Sequence, residues 1–190
     1  MIRIAVVGDI GSGKSYIANL FGYPVFNADL EVAKIYKTNK SCFKRLKKNL
    51  PKYFSVFPAN KIQIIKAIED SKKNLKKITK IIHPEVRKKL SIFLKKNKKR
   101  KAVILDIPLL LENKLNHKND TIVFVQSKKS EIIKRLKERD NFNLNLYNQF
   151  KKIQLSLSYK KKNSNYIIKN NFTNKFVKIS IKNFKKNYIK

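Results

Sequence analysis

The chain opens on an unbroken apolar run, Ile2 to Val7, that stops at Gly8. A β-branched run without polar alternation predicts a strand buried on both faces, as in a parallel sheet. Residues 14–22 (KSYIANLFG) then space apolar side chains at Ile17, Ala18, Leu20 and Phe21, and Gly22 ends the run as a helix-terminating glycine does. YPVFNAD (23–29) reads as a second, short strand. From about 30 to 100 the pattern is helical, with apolar spacing in IQIIKAIED and VRKKLSIFL and with Pro51, Pro58 and Pro84 as expected breaks. KAVILDIP (101–108) and DTIVFVQ (120–126) predict a third and fourth strand. SEIIKRLKERD (130–140) predicts an amphipathic helix with Ile132, Ile133 and Leu136 inward, and NYIIKN (165–170) a fifth strand. The closing segment KFVKISIKNFKKNYI suits a helix, although its alternation also permits a strand.

Strands alternating with helical stretches predict an α/β doubly wound sheet. The helical tract between the second and third strands is too long for a simple crossover. It predicts an inserted helical subdomain or two helical hairpins. The chain shows no internal repeat, and its lysine clusters at 95–101 and 160–162 read as solvated faces.

Glycine use is the sharpest chemical signal. Of four glycines in 190 residues, three stand at Gly8, Gly11 and Gly13. With Lys14 and Ser15 they spell GDIGSGKS, which fits G-x-x-x-x-G-K-[ST], the phosphate-binding P-loop. Such a loop turns successive N–H groups into one concavity that holds a polyphosphate. Lys14 then reaches the outer phosphates, Ser15 offers a hydroxyl to Mg²⁺, and the following helix adds its positive end. A strand before and a helix after supply the context this motif requires. Asp106, at the end of the apolar run AVILD, reads either as a Walker B carboxylate that would help hold Mg²⁺ or as an ordinary strand-end aspartate. Asp29, after the second strand, reads either as a base for an acceptor hydroxyl at the tip of a strand neighbouring the P-loop, or as a helix N-cap. Arg135 and Arg139, four apart, share a helix face and form a candidate phosphate clamp; pairing with Glu131 and Glu138 is the plainer alternative.

Charge adds a second question. The chain carries 46 Lys and Arg against 12 Asp and Glu, a formal charge of +34. Nucleic-acid binding is one reading of such a surface. Only six of those basic residues are arginines, however, and the lysines are spread from end to end among Asn, Ile, Tyr and Phe. That distribution points to AT-rich codon bias rather than to specific readout, although the field still attracts anionic metabolites. A single cysteine, Cys42, excludes an internal disulfide framework and suits a reducing cytoplasm. No apolar run has the length of a membrane span, and the first residues lack the form of a secretory signal.

Taken in order, these segments resemble the dephospho-coenzyme A kinase family over nearly the whole chain. GDIGSGKS is similar to that family's G-G-I-G-S-G-K-S, NAD (27–29) to its D-A-D, IIHPEVRKKL to its HP-x-[IV]-R element, and LDIPLLLEN (105–113) to its PLL-x-E signature. RLKERD and residues 154–171 occupy the places of its lid and last strand. The resemblance implies transfer of the ATP γ-phosphoryl group to the ribose 3′-hydroxyl of dephospho-CoA. It implies a P-loop kinase core with a five-stranded parallel sheet (1–29, 101–126 and 161–190), a helical CoA-binding subdomain (30–100) and a lid (127–160). On this basis Gly8, Ile10, Gly11, Ser12, Gly13, Lys14, Ser15, Tyr16 and Arg135 are expected to bind ATP. Ser15 and Asp106 are expected to hold Mg²⁺, and Asp29, Lys14 and Arg139 to be catalytic. Asp29, His83, Arg87 and Glu112 are expected to contact dephospho-CoA. A cytoplasmic monomer with no membrane and no specific nucleic-acid partner is expected. The chain departs from the pattern at Asp9 (for Gly), Tyr16 (for Thr), Asn27 (for Asp) and Lys34 (for Arg), and at Leu157 and Asn165 where Arg and Asp are common. Two rivals stay open: another P-loop nucleoside or nucleotide kinase, and a nucleic-acid-binding NTPase.

Overall fold

The structure is a computed structural model, which describes residues 1–138 and 142–189. Five parallel strands form one sheet: β1 (Ile2–Gly8), β2 (Val25–Asn27), β3 (Ala102–Asp106), β4 (Thr121–Gln126) and β5 (Tyr166–Lys169), in the order β2-β3-β1-β4-β5. The helices are α1 (Lys14–Leu20), α2 (Ala28–Thr38), α3 (Lys40–Asn49), α4 (Lys61–Asp70), α5 (Lys72–Lys96), α6 (Lys129–Lys137), α7 (Leu144–Ile153), α8 (Leu157–Lys162) and α9 (Asn174–Tyr188). The expected five-stranded parallel α/β fold is what the chain adopts.

The chain divides into two compact units, Ala28–Lys95 and the remainder, Met1–Asn27 with the chain from Lys96 onward. In the sheet unit, Ile4 and Val6 of β1 face one way and Ala5 and Val7 the other, and all four are buried. Burial on both faces explains why this strand has no polar alternation. One face packs Ile4, Val6, Ile104, Val123, Val125 and Ile168 against α1 and α9. There Phe21 and Phe184 meet edge to face at 5.3 Å. The closing segment resolves as a helix because Val177, Ile181 and Phe184 are buried at helical spacing, while Ile179 of the alternating pattern is half exposed. Ile133 departs from expectation: Ile132 and Leu136 of α6 are buried but Ile133 is exposed, one position off the inward stripe.

In the helical unit, α2 to α5 bury Ile35, Phe43, Leu46, Ile68, Ile78, Ile82 and Val86 among others. Pro84 does not break its helix. It lies inside the 25-residue α5, where buried Ile78, Ile81, Ile82, Val86 and Leu90 anchor both sides of the one hydrogen bond that proline removes. Arg45 pairs with Glu85 at 2.7 Å in this unit, and in the sheet unit Arg3 pairs with Asp120 at 2.8 Å. Two of the few arginines are thus structural. No helix among the described residues is long and apolar enough to cross a membrane.

Candidate nucleotide site

β1 and β4 are neighbours, yet the chain leaves them toward opposite edges of the sheet. A crevice opens at the carboxyl ends of strands where connections diverge in this way. The loop 9–13 occupies it. Gly13 precedes α1 in the left-handed region, φ +87°, and a Cβ there would stand 2.5 Å from Asn170 Nδ2. Gly11, at φ +80°, would set a Cβ 2.9 Å from Leu136 of α6. Both glycines are therefore required by backbone geometry and by close approach. The helix starts without a side-chain cap, so its first N–H groups remain available to an anion.

Side chains from two neighbouring strand ends fix the loop. The Ser12 carbonyl accepts from Asn170 Nδ2 at 2.8 Å, just past β5, and from Ser127 Oγ at 3.1 Å, just past β4. Asn170 Oδ1 also accepts from the Phe172 amide at 2.9 Å. Lys14 Nζ folds back onto the loop, donating to the Asp9 carbonyl at 2.6 Å. Asp9, where the family resemblance places glycine, is buried, and its Oδ1 accepts from the Ile10 amide at 2.7 Å and from Lys151 Nζ of α7 at 2.5 Å. Ser15 and Tyr16 are exposed on the first turn of α1, and Ser12 is buried. Arg135 of α6 lies over the Phe172 ring at 4.6 Å, a cation–π contact.

Asp106 ends β3, buried, and one of its oxygens accepts from Asn27 Nδ2 at 2.7 Å, across the β2–β3 register. An aspartate at position 27 would set two carboxylates against each other, whereas the amide donates. Asn27 is thus a departure with a chemical logic. Beyond β3, Glu112 accepts from the Leu155 amide at 3.0 Å and pairs with Lys160 at 2.7 Å, both side chains nearly buried. Its carboxylate is committed to holding the segment around α8. A narrow cleft of about 10 Å³, room for one water, brings Gly8, Lys14, Glu112, Gln154 and Lys160 together.

Asp29 corrects one expectation. It lies in the first turn of α2 rather than in β2 or at the N-cap, and β2 is separated from β1 by β3, so its strand does not neighbour the P-loop strand. A carboxylate there still suits the positive end of a helix. Asp29 is exposed and belongs to the helical unit, as do His83 and Arg87, four residues apart on α5. Burial, and then the Arg87 charge, hold His83 below the ordinary histidine value, so its imidazole is neutral at pH 7. Arg139 lies outside the described residues.

The contacts that Asn170, Ser127 and Lys151 make with the loop are not legible in the sequence: each reaches it only through strand order or helix placement. Gln154 likewise lines the cleft beside Gly8 and Lys14 without any local signal for it. At Asn165 the carboxamide oxygen accepts from the Ile122 amide at 2.7 Å, the work an aspartate could do there.

Comparison with known proteins extends this picture to the whole chain. The family model described as dephospho-CoA kinase matches residues 2–175. A dephospho-CoA kinase of Wolbachia pipientis wMel is 35% identical over 94% of this chain and 94% of that protein. A second, from the Wolbachia of Brugia malayi, is 33% identical over 87% of each. Among solved structures, a Thermus thermophilus protein superposes with a TM-score of 0.81 at 24% identity, covering 100% of this chain and 98% of the other. The dephospho-CoA kinase of Campylobacter jejuni superposes at 0.66 and 21% identity, covering 98% and 97%. The glycine loop, the strand order and the match along nearly the entire length converge: this chain belongs to the dephospho-CoA kinase family.

Proposed function

We propose that this protein transfers the γ-phosphoryl group of ATP to the ribose 3′-hydroxyl of dephospho-CoA, giving coenzyme A. The observation that carries the reading is the loop 9–13 at the carboxyl edge of β1, opening an uncapped helix, in a chain that matches the family from residue 2 to 175. The amides of Gly11 through Tyr16 receive the phosphates, with Gly8 and Ile10 shaping the loop's entry. Lys14 exchanges its carbonyl partners for the β- and γ-phosphates. Arg135, carried against Phe172, lies on the nucleotide side, and Arg139 neutralises charge on the moving group. Ser15 and Asp106 offer the hard oxygen donors that suit Mg²⁺, an ion that keeps waters and binds substrate phosphates. When bound it neutralises charge on the outer phosphates.

Asp29 takes the proton from the 3′-hydroxyl. His83 and Arg87 face the anionic part of dephospho-CoA; the Arg87 charge, second to burial in depressing the histidine, is the attraction on that stretch of α5. Glu112 acts on that substrate through the segment it anchors. Residues 30–100 serve as the CoA-binding subdomain, 127–160 as the lid and the rest as the nucleotide-binding core. Closure of the lid excludes water, and positioning with electrostatics supplies most of the acceleration in such transfer. The protein works as a cytoplasmic monomer.

The test is a direct assay with ATP, Mg²⁺ and dephospho-CoA, with the product identified as the 3′-phosphate. Phosphorylation of nucleosides but not of dephospho-CoA would refute the reading. So would ATP hydrolysis that depends on added RNA or DNA. Asp29→Asn is expected to abolish turnover with ATP binding nearly intact, and near-normal turnover would remove Asp29 from the role of base.

A further inference from the structure

An acid inside a loop built to hold an anion needs a reason. Asp9 is buried at the second position of the loop, where its charge opposes a triphosphate. Two ammonium groups converge on it. Lys14 donates to its carbonyl at 2.6 Å and Lys151 to its carboxylate at 2.5 Å. The Asp9 side chain is 8% exposed and that of Lys151 37%, so the acid is enclosed while the lysine side chain is only partly buried. An ammonium has three donors, and the carboxylate occupies one. Because Asp9 Oδ1 also accepts from the Ile10 amide, the pair is fixed to the loop backbone rather than dangling from it.

We propose that Lys151 is a nucleotide-binding residue of this chain, held at the phosphate loop by Asp9. In the free protein the pair cancels the acid's charge and keeps two like-charged lysines close together. With nucleotide bound, Lys151 shares its remaining donors with the triphosphate while Asp9 keeps its position. Asp9 and Lys151 thus form one functional unit: the loop tolerates an acid because α7 supplies a base. The proposal rests on the reading that this loop binds the phosphates of ATP.

The test is a double-mutant cycle on ATP affinity, measured calorimetrically in the full chain, for wild type, Asp9→Asn, Lys151→Met and the double variant. Asparagine keeps an oxygen for the Ile10 amide. Lys151→Met leaves the acid uncompensated and removes a donor, so ATP affinity falls about tenfold or more, the lower end for a lost charged hydrogen bond. In the Asp9→Asn background the same change costs about fivefold less, because the repulsion is gone. Lys151→Arg retains affinity close to wild type. If Lys151 only packs α7, the loss persists unchanged in the double variant, and the proposal is overturned. An affinity within twofold of wild type for Lys151→Met overturns it as well. A wild-type protein that does not bind ATP removes the functional reading along with the inference.

Discussion

The pair formed by Lys160 and Glu112 offers the sharpest quantitative test. The ammonium and carboxylate approach to 2.7 Å with side chains 3% and 9% exposed. At an effective dielectric of ~20 that approach corresponds to ~6 kcal/mol of attraction, most of it offset by the desolvation of both ions. Removing one partner leaves the other charge buried and uncompensated, which costs ~3–5 kcal/mol. For a chain of this length each kcal/mol moves the melting temperature by ~2–4 °C, so Lys160→Met is expected to melt ~6–20 °C below wild type. Glu112→Gln is expected to fall by a similar amount, since its oxygen still accepts from Leu155 but no longer balances the lysine. The double variant removes both charges and keeps that acceptor, so it recovers most of the loss. Differential scanning calorimetry on the four proteins measures the cycle. Single variants within 2 °C of wild type, or losses that simply add in the double variant, would refute the view that this is an enclosed, mutually dependent pair.

Three further outcomes follow from the geometry. Gly13→Ala sets a Cβ 2.5 Å from Asn170 Nδ2 at a left-handed φ, so both folding and ATP binding suffer; strain of ~1–3 kcal/mol is expected and a melting curve reads it. Asn170→Ala removes the donor to Ser12 and the acceptor for Phe172, which is expected to cost ~1–3 kcal/mol and to raise the KM for ATP more than it lowers kcat. His83 has a folded-state pKa below the ordinary 6.5, so the unfolded chain binds its proton more tightly. Its contribution to stability is present above 6.5 and is lost as pH falls through the depressed folded value. His83→Gln should flatten that part of the profile in denaturant titrations between about pH 5 and 7, near the ordinary histidine range.

Local physics accounts for the apolar run of β1, the concentration of glycine after it and the helical spacing of α1. Strand burial forbids polar alternation, a phosphate cradle demands positive φ, and a helix face repeats every three to four residues. The five strands and the P-loop are therefore legible in the sequence alone, as is the family resemblance carried by the ordered motifs. What lies out of its reach depends on strand order and on partners distant in the chain. The sequence cannot say that β3 inserts between β1 and β2, and that arrangement separates the strand leading to Asp29 from the P-loop strand and sets Asn27 against Asp106. Pro84 reads as a break because propensity is a local quantity, while α5 is held by side chains packed on either side of it. Asp9 stands out in the sequence only as a departure from a pattern. The tertiary structure gives it a counter-charge 142 positions away, in Lys151, a pairing that no local window contains.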